Sequence, residues 1–162
     1  MKAVSVIEIK KELKERSHQD LMDLCLRLAR FKKENKELLT YLLFESHNEE
    51  GYIETVKDEV DLQFDNINAD SFFYIKKSVR KILRMIKKYN RYSLKKETEV
   101  ELLLYFCEKL NDFEPSISRN RTLVNLYNRQ INFIKKKIDT LHEDLQYDYN
   151  TQLQELDHYI LY

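Results

Sequence analysis

Apolar residues recur at spacings of three and four along almost the whole chain, which places them on one side of successive α-helices. The most regular stripe runs from Phe72 to Tyr89, where steps of three and four alternate without interruption. A second long seam extends from Val124 to Leu145. Between the two, the segment from Leu94 to Phe113 is apolar around more than one face, a pattern that predicts the most buried helix.

Capping signals predict where these helices begin and end. Ser17-x-x-Asp20 predicts the start of a helix that follows a short first helix over residues 6–13, and a polar joint at residues 33–36 then leads to another helix. Ser46-x-x-Glu49 predicts a second capping box. Further boundaries are expected at residues 66–70, 90–93, 114–116 and 148–150, and Thr151-x-x-Gln154 is a candidate cap for a final helix.

The chain contains one glycine and one proline, which favours an all-α fold because sheet proteins need these residues in their turns. With Gly51 alone, the sequence excludes glycine-rich phosphate loops, dinucleotide fingerprints and nucleophile elbows. A length of 162 residues fits a single helical domain spanning residues 1–162, with about seven to eight helices.

The predicted boundaries between residues 46 and 115 fall roughly every 22 to 24 residues, so two helices span about 45 residues. This is close to the length of a helical hairpin in HEAT and armadillo arrays. Antiparallel hairpins in an ordinary multi-helix bundle would give the same spacing, so a small array and a bundle both stay open.

A resemblance to a known group of proteins adds to this reading. The segments at residues 34–43, 48–50 and 56–59 resemble an uncharacterised family of bacterial helical proteins with armadillo-like or HEAT-like hairpins. The resemblance covers roughly the first third of the chain. It implies helical hairpins and a bacterial cytoplasmic protein, and it brings no catalytic or binding residues to this sequence.

Charge is segregated although the 28 basic and 28 acidic side chains cancel. Ten cations and no acid lie between residues 76 and 96: Lys76, Lys77, Arg80, Lys81, Arg84, Lys87, Lys88, Arg91, Lys95 and Lys96. The segment from Glu45 to Asp70 before them is acidic, with Lys57 as its single cation. The first eight basic residues are therefore the candidate interaction residues.

Two interpretations of the basic block are weighed. In an antiparallel hairpin, Glu54, Asp58, Asp61 and Asp65 would lie beside the basic helix and pair with it; this pairing, or a plain solvated face, is the preferred interpretation. Alternatively the block binds an acidic partner or the phosphates of a nucleic acid, with nearby tyrosines stacking on bases. The zero net charge disfavours a general polyanion binder.

The remaining candidates for chemistry are few. Asp139-x-x-His142 and Glu155-x-x-His158 have the spacing of carboxylate–imidazole metal ligands on a helix face, but further inward carboxylates are lacking, so we expect no metal and no cofactor. Cys25 and Cys107 lie in apolar runs and are expected to be buried thiols in a reducing compartment.

Tyr41, Tyr105 and Tyr127 are expected in the core because they lie on apolar seams. A C-terminal cluster of Tyr147, Tyr149, Tyr159 and Tyr162 is interpreted as helix packing or a small self-association surface.

The sequence contains no recognisable set of catalytic residues. It therefore predicts a non-catalytic interaction module that binds a protein partner or itself. The module is expected to be cytoplasmic and not associated with a membrane. A nucleic-acid-associated protein using residues 76–96 is the alternative hypothesis, and a metal-binding helical protein is the third.

Overall fold

The computed structural model describes residues 1–156, and within that range it contains eight α-helices and no strand. The helices are α1 (Val6–Lys14), α2 (His18–Phe31), α3 (Lys33–Thr40), α4 (Glu49–Asp65), α5 (Phe72–Ser93), α6 (Lys96–Asn111), α7 (Arg121–Ile138) and α8 (Glu143–Glu155). The prediction of an all-α fold with about seven to eight helices is confirmed.

Backbone contacts divide the chain into two compact units, one from Met1 to Phe44 and one that begins at Glu45. The expectation of a single domain over residues 1–162 stays a prediction.

In the N-terminal unit, α2 and α3 form a short hairpin. The predicted capping box opens α2, because the Asp20 amide donates to Ser17 Oγ at 3.1 Å and the Ser17 amide donates back to Asp20. The hairpin turns at Lys32 alone, whose backbone is extended, so the joint expected at residues 33–36 is wrong: those residues already belong to α3. The Asn35 side chain closes the turn by donating to the Leu28 carbonyl at 2.8 Å.

The second unit is built around α6, which packs against α4, α5, α7 and α8. Half of the residues of α6 are buried, on several sides of the helix: Thr98, Val100, Leu102, Leu103, Leu104, Phe106, Cys107 and Leu110. This confirms that the segment after Leu94 forms the most enclosed helix, although it begins at Lys96. The central part of the regular stripe of α5 is buried as predicted, with Ile75, Val79 and Ile86 fully enclosed, whereas its end residues Phe72 and Tyr89 are half-buried.

The start of α4 differs from the prediction. Asn48 caps the helix, because its Oδ1 accepts from the Gly51 amide at 3.1 Å, and Ser46 does not. Residues 49–51 form the first turn of α4. The Ser46-x-x-Glu49 spacing fails because an asparagine, an equally good capping residue, lies two positions closer to the apolar stripe.

The boundary after α5 is also displaced. The helix continues through Asn90 and Tyr92, which are buried, and it ends at Leu94, whose φ of 59° is left-handed. The expected interruption at residues 90–93 is therefore wrong. The backbone of Leu94 thus adopts a conformation that favours glycine, because a Cβ atom makes it sterically costly. The side chain is 83% exposed, so packing contacts do not offset that cost.

Replacement of Leu94 by glycine is expected to stabilise the protein by about 1 kcal/mol, because glycine removes the steric cost of the left-handed conformation at a helix C-terminus. Urea denaturation measures this change. Leu94→Ala is the control: it removes the same exposed apolar side chain but keeps the Cβ, so it should give little or no gain. Equal stabilisation by both variants would mean that the backbone conformation is not the cause.

The seam from Val124 to Leu145 is not one helix. Helix α7 ends at Ile138, and α8 begins at Glu143 and continues through residues 148–150, where the sequence suggested a break. Thr151 caps no helix, since its hydroxyl donates to the Tyr147 carbonyl inside α8. The apolar spacing persists across the true break because Ile138 and Leu141 are both buried, one in the helix and one in the turn.

Candidate interaction surfaces

The solvent-facing side of α5 consists of cations. Every exposed side chain between residues 75 and 93 is a lysine or an arginine: Lys77, Arg80, Lys81, Arg84, Lys87 and Arg91. Their spacing of one, three or four places them on one face, opposite the buried stripe, over a length of about 21 Å. We name these six residues the α5 cationic face. Lys76 and Lys88 are half-buried at its edges, and the Lys88 ammonium lies 4.9 Å from the Tyr89 ring centroid.

The preferred pairing of this face with the acidic row of α4 is wrong. Asp61 of this row faces α6 instead, where it accepts from the Tyr105 hydroxyl at 2.6 Å and from the Lys109 ammonium at 2.9 Å. Glu54 pairs with Lys57 of its own helix, and the Lys95 ammonium lies 3.2 Å from Glu49. Within residues 1–156, none of the six members of the α5 cationic face has an acidic partner within ion-pair distance.

Ion pairs elsewhere in the second unit connect α6 to its neighbours. Lys57 of α4 reaches Glu101 of α6 at 2.8 Å, and Lys137 of α7 reaches Glu99 at 2.7 Å. Burial alone would lower the pKa of Lys57, but hydrogen bonds to Glu101 and Glu54 outweigh it and raise that pKa above its ordinary value. These carboxylates already have cationic partners from α4 and α7, so none of them pairs with the α5 cationic face.

Two exposed aromatic rings lie at the N-terminal end of the same face. Phe73 is 68% exposed and Tyr74 is 47% exposed, and their ring centroids are 5.4 Å apart in an edge-to-face arrangement. Phe73 precedes Lys77 by four residues, so the ring continues the α5 cationic face by one turn. Tyr74 is one of the tyrosines near the basic block, whereas Phe73 adjoins the apolar stripe and cannot be distinguished from it by sequence alone.

A second surface lies on the N-terminal unit. Helices α1, α2 and α3 are amphipathic, yet among their residues none is buried. The exposed large apolar side chains of the unit are Met1, Val4, Val6, Ile7, Ile9, Leu13, Met22, Leu24, Leu26, Leu28, Phe31, Leu38, Leu42, Leu43 and Phe44. So many exposed large apolar side chains in one unit are characteristic of a surface that another element covers.

The metal candidates are not brought together. The helix break separates Asp139 from His142, so the two do not share a helix face; His142 instead caps α8, accepting from the Asp144 amide at 3.4 Å. Glu155 ends α8, and His158 lies outside the described residues. In residues 1–156 no group of three or more histidine, cysteine or acidic side chains is placed to hold a metal ion.

The two cysteines differ. Cys107 is buried as expected, and burial raises the pKa of its thiol. Cys25 is exposed, contrary to the prediction, because it lies in α2, none of whose residues is buried.

Tyr41 and Tyr127 are core residues as expected, whereas Tyr105 is only partly buried. In the C-terminal cluster, Tyr149 is buried and Tyr147 is 77% exposed. Tyr159 and Tyr162 lie outside the described residues.

In the part of the chain that the structure describes, no helix combines the length and apolarity needed to cross a membrane. Comparison of the chain with protein-family models, curated proteins and solved structures finds no match. The resemblance to bacterial armadillo-like or HEAT-like proteins therefore stays an expectation.

Proposed function

We propose that the protein is a non-catalytic interaction module that self-associates through the apolar surface of its N-terminal unit. The observation that carries the proposal is the absence of buried residues in α1, α2 and α3, among the residues described, although each helix has an apolar face. Burying these side chains in an interface would remove a large apolar area from water.

The order of charges along α2 favours a second copy as the partner. Asp20 and Asp23 lie in the N-terminal half of the helix, and Arg27 and Arg30 lie in the C-terminal half. When two copies of α2 run antiparallel about a two-fold axis, the acidic half of each copy lies alongside the basic half of the other. Leu24, Leu28 and neighbouring apolar side chains of both copies would then fill the space between them.

Sedimentation velocity over a range of concentrations tests the proposal. We expect an oligomer whose dissociation constant rises by at least about 100-fold in Leu28→Ser/Phe31→Ser, because each copy loses two exposed apolar contacts. These side chains are 59% and 77% exposed, so the fold does not depend on them. The matched control is Leu62→Ser/Phe133→Ser, which removes the same side-chain types from exposed positions of α4 and α7. A chain that is monomeric at every concentration would overturn the proposal.

A charge exchange tests the two-fold arrangement separately. Asp23→Lys alone and Arg27→Glu alone should each weaken self-association by up to roughly tenfold, since like charges then meet across the axis. A mixture of the two variants should restore association, because one copy is then acidic and the other basic. If the mixture associates no better than either variant, the antiparallel α2 arrangement is wrong even if the oligomer exists.

A further inference from the structure

We infer that the α5 cationic face, together with Phe73, is a binding surface for single-stranded nucleic acid. This surface belongs to the second unit and does not depend on the self-association proposed for the N-terminal unit. The inference starts from the composition of the face: all six exposed side chains from Lys77 to Arg91 are cations, and within the described residues they have no acidic partner at ion-pair distance.

The composition favours a nucleic acid over an acidic protein. The core of a protein–protein interface is depleted in charged residues and enriched in aromatic and apolar ones. Nucleic-acid interfaces are strongly positive and polar, because their main contacts are with phosphates. Between Lys77 and Arg91 the face has no exposed apolar side chain. Its composition is therefore that of a nucleic-acid interface and not that of a protein–protein interface.

The packing of α5 also disfavours binding of this face to a membrane surface. A helix that lies in a bilayer interface inserts an apolar face beside its basic one. The apolar face of α5 is fully used in the core, where Ile75, Val79 and Ile86 have no accessible surface. What remains outside is charge, with an aromatic pair at one end.

That aromatic pair distinguishes a single strand from a duplex. Unpaired bases stack on exposed aromatic side chains, whereas the bases of a duplex are already stacked on one another. Phe73 lies one turn before Lys77 and presents more than half of its surface to solvent, held edge-to-face by Tyr74. A strand whose phosphates follow the cations would place a base at this ring.

Overall neutrality does not oppose local binding. Charges separated by more than about 8 Å are largely screened at physiological ionic strength. The acids of α4 closest to α6 are occupied, with Asp61 bound to Lys109 and Glu54 to Lys57. Neither carboxylate therefore neutralises a member of the α5 cationic face through an ion pair.

Fluorescence anisotropy with a labelled oligothymidine measures the binding, using the full chain at several salt concentrations. We expect affinity that falls steeply with salt, with a slope of log K against log salt of about −4 if all six cations contact phosphates. Arg80→Glu/Arg84→Glu/Lys87→Glu should weaken binding at least about 30-fold. Arg121→Glu/Arg129→Glu/Lys136→Glu, which reverses the same residue types at exposed positions of α7, should change affinity far less.

Phe73→Ala supplies the test of stacking. It should weaken binding of the single strand about fivefold or more and leave binding of a duplex of the same length unchanged. Circular dichroism confirms that each variant is folded.

Four results would overturn the inference. They are no binding at low salt, equal losses in the α5 and α7 variants, a duplex bound as tightly as the single strand with no effect of Phe73→Ala, and polyglutamate or anionic vesicles bound in preference to the oligonucleotide. A preference for polyglutamate would identify an acidic protein as the partner instead.

Discussion

Leu103→Ala is expected to lower the free energy of unfolding by roughly 2 to 5 kcal/mol, the range for large-to-small substitutions at enclosed positions. Leu103 has no accessible surface and lies in α6, the helix that packs against four others. Neighbouring side chains on several sides cannot all move inward, so the lost methyl groups leave a cavity. Ile134→Ala in α7 should behave alike, since Ile134 is equally enclosed.

Urea denaturation followed by circular dichroism measures both changes. Leu62→Ala is the matched control, because Leu62 is also a helical leucine but is 54% exposed, and its loss should cost less than about 0.5 kcal/mol. Losses as small at Leu103 and Ile134 would mean that these positions are not in the core.

The core could be predicted from the sequence because burial in this fold follows a local periodicity. The stripe of α5 and the all-round apolar character of α6 are both properties of contiguous residues, and both correspond to buried surfaces. The same reasoning predicted the capping box at Ser17, which needs only two residues three apart.

What the sequence could not supply is which helices meet. The acidic row of α4 adjoins the basic helix in the chain, so pairing between consecutive helices was the natural expectation. In a bundle, however, α4 also packs against α6, and the side of α4 that bears Lys57 and Asp61 lies there. Periodicity identifies a face but not the neighbour that covers it.

The exposure of the apolar side chains in the N-terminal unit could not be predicted from the sequence for a related reason. The apolar spacing in α2 is as regular as that of a core helix, and Cys25 was assigned to the core on that ground. An amphipathic pattern predicts that the apolar face of a helix is buried. It does not predict whether the element that buries it belongs to the same molecule or to another. Both proposals above rest on faces of this kind, one apolar and one cationic.

Glu49 is a carboxylate that joins three helices. It lies at the first residue of α4 and accepts hydrogen bonds from Ser93 at the end of α5 and from Thr98 of α6, the latter at 2.6 Å. The Lys95 ammonium is 3.2 Å away. The Glu49 side chain is 16% exposed and Thr98 is 1% exposed, so water cannot easily replace these bonds.

Glu49→Gln should destabilise the protein by about 2 kcal/mol, because hydrogen bonds to a charged group contribute about 1.5 to 3 kcal/mol and the neutral amide gives Ser93 and Thr98 a weaker acceptor. The amide also replaces the oxygen next to the Lys95 ammonium with an NH₂ group or with an uncharged oxygen. Glu50→Gln is the control. It removes the same charge from the same first turn of α4, at an exposed position, and so accounts for any effect of the helix dipole. A double-mutant cycle with Thr98→Val, measured by urea denaturation, isolates the contact: the loss from Glu49→Gln should shrink when the Thr98 hydroxyl is absent. Equal losses from Glu49→Gln and Glu50→Gln would mean that the carboxylate acts through helix electrostatics and not by joining α4 to α5 and α6.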